Sequence, residues 1–105
     1  MIRIEVSATD IKSGSRGNSE NCAIARAAKR FIRENKLRGW SVSVDSDSIR
    51  FDHDERDAIN LDLPKAAQNF IEKFDDADNV PKSTLKPFGF SIKGVSVREN
   101  SLVAT

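Results

Sequence analysis

Residues 19–39 read SENCAIARAAKRFIRENKLRG and carry the strongest helical pattern in the chain. Apolar side chains recur there with the period of an α-helix, at Ile24, Ala27, Ala28, Phe31 and Ile32. Asn18 or Ser19 is the predicted N-cap, and Gly39 is predicted to stop the helix. The stretch therefore predicts an amphipathic helix with one face in a core.

Strands are predicted on both sides of this helix, because apolar and polar residues alternate there. The alternating segments are residues 2–6, 40–44, 49–51, 58–63 and 88–92. A second helix is predicted to start at Pro64. Its apolar stripe is Leu63, Ala67, Phe70, Ile71 and Phe74. Thr9 or Asp10 is predicted to cap one further helical turn through Ile11 and Lys12.

These elements define an α+β fold in the order β-α-β-β-(β)-α-β. We expect a small, mainly antiparallel sheet with two helices packed on one face. Residues 1–94 are predicted to form a single domain, and residues 95–105 a C-terminal tail or edge segment. Helix packing predicts that Phe31 and Phe70 are both in the core.

The composition excludes several classes of protein. The chain has 105 residues, a net charge of +1, one cysteine and one histidine. No global field draws it to nucleic acid or membrane, and no internal disulfide can form. The alternating, charged residues 2–6 are unlike a signal peptide, and no apolar run reaches the ~20 residues of a membrane span. We expect a protein of the bacterial cytoplasm.

Catalytic and metal-binding patterns are not found in the sequence. Cys22 and His53 form no recognisable nucleophile motif, and Cys22 is predicted to be a buried structural residue. The carboxylates from Asp45 to Asp57 resemble a calcium loop only superficially, since glycine is missing at the turning position. We therefore expect no catalytic residues, no metal and no cofactor.

A Gly-x-x-Gly loop, Gly14-Ser15-Arg16-Gly17, lies between two helical segments. In KH nucleic-acid-binding domains such a loop clamps the phosphate backbone. A plain turn between helices explains the same glycines, because glycine tolerates positive φ. The nucleic-acid hypothesis would use Arg16 and the basic face of the first helix. Its candidate residues are Arg16, Arg26, Lys29, Arg30 and Arg33.

Acidic residues dominate the segment that follows the first helix. Residues 45–62 contain seven carboxylates against two arginines. The candidate partner-binding residues are Asp45, Asp47, Asp52, Asp54, Glu55 and Asp57. Two interpretations stay open: the basic and acidic faces are solubilising surfaces, or they form a bipolar surface that steers a charged partner.

Several motifs together resemble a group of small phage and prophage proteins over residues 2–92. The motifs are Asp10-Ile11-x-x-Gly14-x-Arg16, Cys22-Ala23-Ile24-Ala25-x-Ala27, Leu63-Pro64-x-x-Ala67-x-x-Phe70-Ile71-x-x-Phe74-Asp75 and Pro87-Phe88-Gly89-Phe90. Small phage proteins of this kind include anti-CRISPR proteins, which bind and block host machinery. The resemblance implies a stoichiometric inhibitor of a host protein complex, such as a CRISPR effector. Its acidic surface would imitate a nucleic-acid backbone, and nucleic acid is a partner only under the alternative hypothesis.

Overall fold

A computed structural model describes residues 1–105 and confirms the predicted α+β class. The elements are β1 (Ile2–Val6), α1 (Ala8–Ser13), α2 (Ala23–Glu34), β2 (Trp40–Val44), β3 (Ser48–His53), β4 (Ile59–Asp62), α3 (Lys65–Asp75), β5 (Phe88–Ile92), β6 (Val95–Arg98) and β7 (Ser101–Ala104). A short 3-10 helix, Lys82–Thr84, precedes β5. No helix is both long enough and apolar enough to cross a membrane.

The strands form three separate antiparallel ladders instead of the single sheet expected from the sequence. β1 pairs with β5, so that Ile2 lies opposite Ile92 and Val6 opposite Phe88. β2, β3 and β4 form a three-stranded meander, and β6 pairs with β7. The prediction of one sheet was wrong because alternation shows that a strand exists and does not show which strand it pairs with.

Helix α2 joins the first two ladders by packing against both β1 and β2. Its buried face is largely alanine, with Ala23, Ala25 and Ala28 at 0% exposure, which lets the strands approach closely. Phe31 is only half-buried at the edge of this face, whereas Phe70 on α3 is buried. Phe31 was predicted in the core and instead lies against its rim.

The start of α2 differs from the prediction. Asn18 does not cap the helix; its side chain accepts hydrogen bonds from the backbone N–H groups of Glu20 and Asn21 and closes a turn. Cys22 is the N-cap, with Sγ accepting from the Ala25 N–H at 3.4 Å. Because the Cys22 sulfur caps the first turn instead of the Asn18 or Ser19 side chain, the helix begins at residue 23, later than predicted.

Helix α2 also stops before Gly39, at a Schellman-type end. Asn35 is the C-cap, and Lys36 adopts a left-handed conformation with φ 54°. The Leu37 N–H then bonds to the Ile32 carbonyl at 3.0 Å. Both of these side chains are buried, which supplies the apolar contact that accompanies this motif.

Residues 95–104 form a β-hairpin, in the segment that was predicted to be a C-terminal tail or edge. Val95 is fully buried and Leu102 is 3% exposed, so both belong to the core. Glu99 and Asn100 occupy the two-residue turn with φ of 51° and 61°, the values of a type I′ turn. Val95 and Leu102 are therefore not available as a binding surface, and Val97 and Val103 are half-buried.

Candidate functional site

The predicted acidic residues lie at opposite ends of the β2–β3–β4 sheet. Residues 45–47, the acidic turn, connect β2 to β3. Residues 54–57, the acidic loop, lie between β3 and β4. Since β3 has six residues, the two acidic groups are separated by about 20 Å at ~3.3 Å per residue. The sequence thus contains one acidic segment, and the fold divides it into two groups on one sheet.

Most of these carboxylates have no internal partner. Asp45, Asp47, Asp54, Glu55 and Asp57 are exposed, and none of their side chains forms a salt bridge. Asp52 differs, because its Oδ1 accepts a hydrogen bond from Arg50 Nε at 2.8 Å. No group of three or more His, Cys, Asp or Glu side chains in the chain could hold a metal ion. Five carboxylates are therefore available to a partner from outside.

Arg30, by contrast, is committed to a buried carboxylate within the protein. Asp10 is 1% exposed, and its carboxylate accepts hydrogen bonds from Arg30 Nη1 at 2.8 Å and Nη2 at 2.6 Å. Arg26 Nε lies 4.0 Å from Asp10 and has no hydrogen-bond partner. The sequence showed Arg26 and Arg30 on the solvent face of α2 and could not show that α1 covers part of that face.

Asp10 is held as a carboxylate by several donors. Burial by itself raises the pKa of Asp10, but hydrogen bonds from Arg30 and Ser7 outweigh it and leave the pKa below its usual value. Ser7 also caps α1: its Oγ accepts from the Asp10 N–H, and Asp10 Oδ2 accepts from the Ser7 N–H. This capping box extends α1 to six residues, with Ser7 and not Thr9 or Asp10 as the cap.

Arg16 points into the protein from the Gly-x-x-Gly loop. Its Nη2 donates to the Val80 carbonyl at 2.6 Å, and its guanidinium lies 5.9 Å from the centre of the Phe74 ring. The Gly17 N–H in the same loop donates to Asp75 Oδ1 at 3.0 Å. A carboxylate therefore occupies one of the loop donors and repels an incoming phosphate.

Of the five candidate basic residues, Lys29 and Arg33 remain exposed and without a salt bridge. The other three predicted members, Arg16, Arg26 and Arg30, are partly buried against α1, β1 or the segment before β5. Two of the five candidate basic residues are therefore free of partners within the protein.

The single cysteine and the single histidine lie in different environments. Cys22 is buried beside a cleft of about 160 Å³ between α2, α3 and the acidic turn, and burial raises the pKa of its thiol. His53 does not line that cleft. Its Nδ1 accepts from the Glu55 N–H at 3.0 Å, so Nε2 carries the proton and donates to the Arg38 carbonyl at 3.1 Å. Both ring nitrogens thus hold the backbone in place.

No protein-family model, no curated protein and no solved structure matches this chain.

Proposed function

We propose that this chain is a phage- or prophage-encoded inhibitor that binds a bacterial defence complex in stoichiometric amount. Its acidic turn and acidic loop would occupy a basic groove where the complex holds nucleic acid. One observation carries this proposal: five of the six candidate carboxylates are free, while three of the five candidate basic residues are held within the protein. Charge that is not neutralised within the protein is the charge that a partner can use.

The geometry of the sheet supports a nucleic-acid mimic. Both acidic groups are attached to the same strand, β3, whose pairing with β2 and β4 fixes their separation. A rigid spacing of charges costs little ordering entropy on binding, compared with a flexible acidic tail. The partner would then present two basic patches about 20 Å apart.

Nucleic-acid binding through the basic residues is the competing function. Lys29 and Arg33 are the exposed members of the basic face that could support it. Two phosphate contacts give weak and salt-dependent binding, because affinity for nucleic acid grows with the number of phosphates neutralised. We therefore favour the acidic surface as the one that binds a partner.

Affinity capture from a bacterial lysate tests the proposed function. The tagged wild-type chain is compared with a variant in which Asp54, Glu55 and Asp57 are changed to lysine. The matched control changes Lys29 and Arg33 to glutamate. We expect a nucleic-acid-binding complex to be captured by the wild type and the control but not by the acidic-loop variant, and to be displaced by added DNA or RNA.

Two results would refute the proposal. One is a captured complex that the acidic-loop variant retains at wild-type level while its circular dichroism is unchanged. The other is a gel shift in which the purified chain itself binds DNA or RNA and loses that binding on Lys29→Glu and Arg33→Glu.

A further inference from the structure

A second surface lies between α3 and the segment that leads into β5. It is a groove of about 500 Å³. Its apolar lining includes Phe70, Val80, Leu85 and Phe88, and its charged lining is Lys73 and Lys86. We call it the lysine groove. It shares no residue with the acidic turn or the acidic loop, so a ligand bound there would be additional to the proposed function.

The two phenylalanines on the floor of the lysine groove, Phe70 and Phe88, belong to a row of packed rings that continues into the core. The ring of Phe88 lies 4.8 Å from that of Phe70 and 5.7 Å from that of Phe90, and Phe70 stacks on Phe74 at 5.7 Å. Phe70, Phe74 and Phe90 are buried, while Phe88 is half-exposed. Because the row is anchored in the core, the floor is formed before anything binds, and its open end favours an apolar side chain.

The charge on the rim of the groove has a single sign. Lys73 and Lys86 are exposed and form no salt bridge, and no residue that lines the groove is acidic. Glu72 on α3 and Asp76 at its C-cap do not line the groove; they line an adjoining hollow that shares Asn69, Lys73 and Val80 with it. An occupant with negative charge on either side of an apolar side chain therefore complements the groove.

The surface continues past Leu85 into a neighbouring hollow. Leu85 also borders a mainly apolar depression formed with Ala8, Ile11 and Lys12, which again contains no acidic residue. Lys82 lies at this depression with its Nζ held by the carbonyls of Lys12 and Gly14. Two apolar hollows that meet at one leucine suit an extended chain better than a compact small molecule.

We propose that the lysine groove binds a short acidic segment of a partner protein. An aromatic or branched aliphatic side chain of that segment packs on Phe88 and Leu85, and its flanking carboxylates pair with Lys73 and Lys86. Nucleic acid fits less well, since two lysines neutralise few phosphates and Phe88 is the one half-exposed ring of the lining on which a base could stack.

A titration of the full-length, ¹⁵N-labelled chain tests this proposal. The probe is an acetylated peptide of sequence DDFEDLDD, compared with DDAEDADD and KKFKKLKK. We expect saturable amide shifts at Lys73, Thr84, Leu85, Lys86 and Phe88 with a Kd of about 1 mM or tighter. Lys73→Glu with Lys86→Glu should weaken binding by about tenfold. Lys29→Glu with Arg33→Glu on α2 should leave the affinity unchanged, and Leu85→Ser should weaken it without a change of net charge.

Several outcomes would overturn the proposal. The first is no saturable shift with DDFEDLDD, or an equal response to KKFKKLKK. Another is full binding by the Lys73→Glu, Lys86→Glu variant when its spectrum shows an intact fold. Tighter binding of a ten-nucleotide single-stranded DNA at residues 84–88 would assign the groove to nucleic acid instead.

Discussion

Arg30 meets Asp10 through two parallel hydrogen bonds, Nη1 to Oδ1 at 2.8 Å and Nη2 to Oδ2 at 2.6 Å. The Asp10 side chain is 2% exposed and that of Arg30 is 31% exposed, so the carboxylate is inside and the arginine covers it. Arg30 Nη2 also donates to the Glu5 carbonyl at 2.8 Å. One guanidinium therefore ties β1, α1 and α2 together, and the basic face of α2 is partly a structural feature.

Replacing Arg30 by methionine should destabilise the fold strongly. The change leaves the buried Asp10 carboxylate without its main donor, and we expect a loss of about 2–4 kcal/mol in the free energy of unfolding. Arg33→Met on the exposed side of the same helix is the control, with an expected change below about 0.5 kcal/mol. Urea unfolding followed by circular dichroism measures both. Equal stability of the two variants would show that the Asp10–Arg30 pair contributes nothing.

The stability of the chain should fall in acid in a way that depends on Asp10. Its pKa in the folded chain is below the ordinary value of 3.8. A depressed folded pKa contributes stability above the unfolded pKa, and that stability is lost as the pH falls through 3.8 towards the folded value. We expect the difference in urea midpoint between wild type and Asp10→Asn to be largest near neutral pH and to shrink below about pH 4. A difference that stays constant down to about pH 2 would contradict this.

The end of α2 offers a stabilising substitution. Lys36 adopts φ 54° at the Schellman-type end, a left-handed conformation in which residues other than glycine are strained. Lys36→Gly should raise the free energy of unfolding by about 0.5–1 kcal/mol. The matched change Lys29→Gly in the exposed middle of the same helix should lower it by about 1 kcal/mol. Thermal unfolding measures the stability of both variants. A Lys36→Gly protein less stable than wild type would refute the assignment of a Schellman-type end to α2.

The two glycines of the Gly-x-x-Gly loop should respond differently to alanine. A Cβ at Gly14 would lie 2.7 Å from both the Ala23 nitrogen and the Asp10 oxygen, which are backbone atoms. A Cβ at Gly17 would meet nothing within 4 Å, and only its φ of 69° opposes the change. We expect Gly14→Ala to cost about 3 kcal/mol and Gly17→Ala about 1 kcal/mol. The reverse order in chemical denaturation would mean that the loop is not packed on α2 as described.

Local pattern in the sequence predicted most of the elements correctly. Alternation placed β1, β2, β3, β4 and β5, and the helical period placed α2 and α3. The β6–β7 hairpin was missed as an element because its turn is Glu99-Asn100. That pair lacks the glycine that usually signals a type I′ turn.

The environment of the charged residues was harder to predict. The candidate acidic residues had only to be exposed to solvent for the prediction to hold. Their positions in a turn and a loop already indicated that exposure. Arg16 and Val80 are 64 positions apart in sequence, and Arg30 and Asp10 are 20 apart, so neither contact has a local pattern. Asp10 itself could have been recognised, because Ser7 and Asp10 have the spacing of a capping box.

The pairing of β1 with β5 constrains how the chain is made. Ile2 cannot meet Ile92 until ribosomal synthesis has added some 90 residues, which takes about 4.5–18 s at ~5–20 residues per second. In the later part of that interval α2 can form, but its alanine face lacks the completed first ladder. Strands that join distant parts of a chain also close slowly after release. Newly synthesised chains should therefore pass through a state with unpaired edges at β1, the state in which a nascent polypeptide most needs a chaperone.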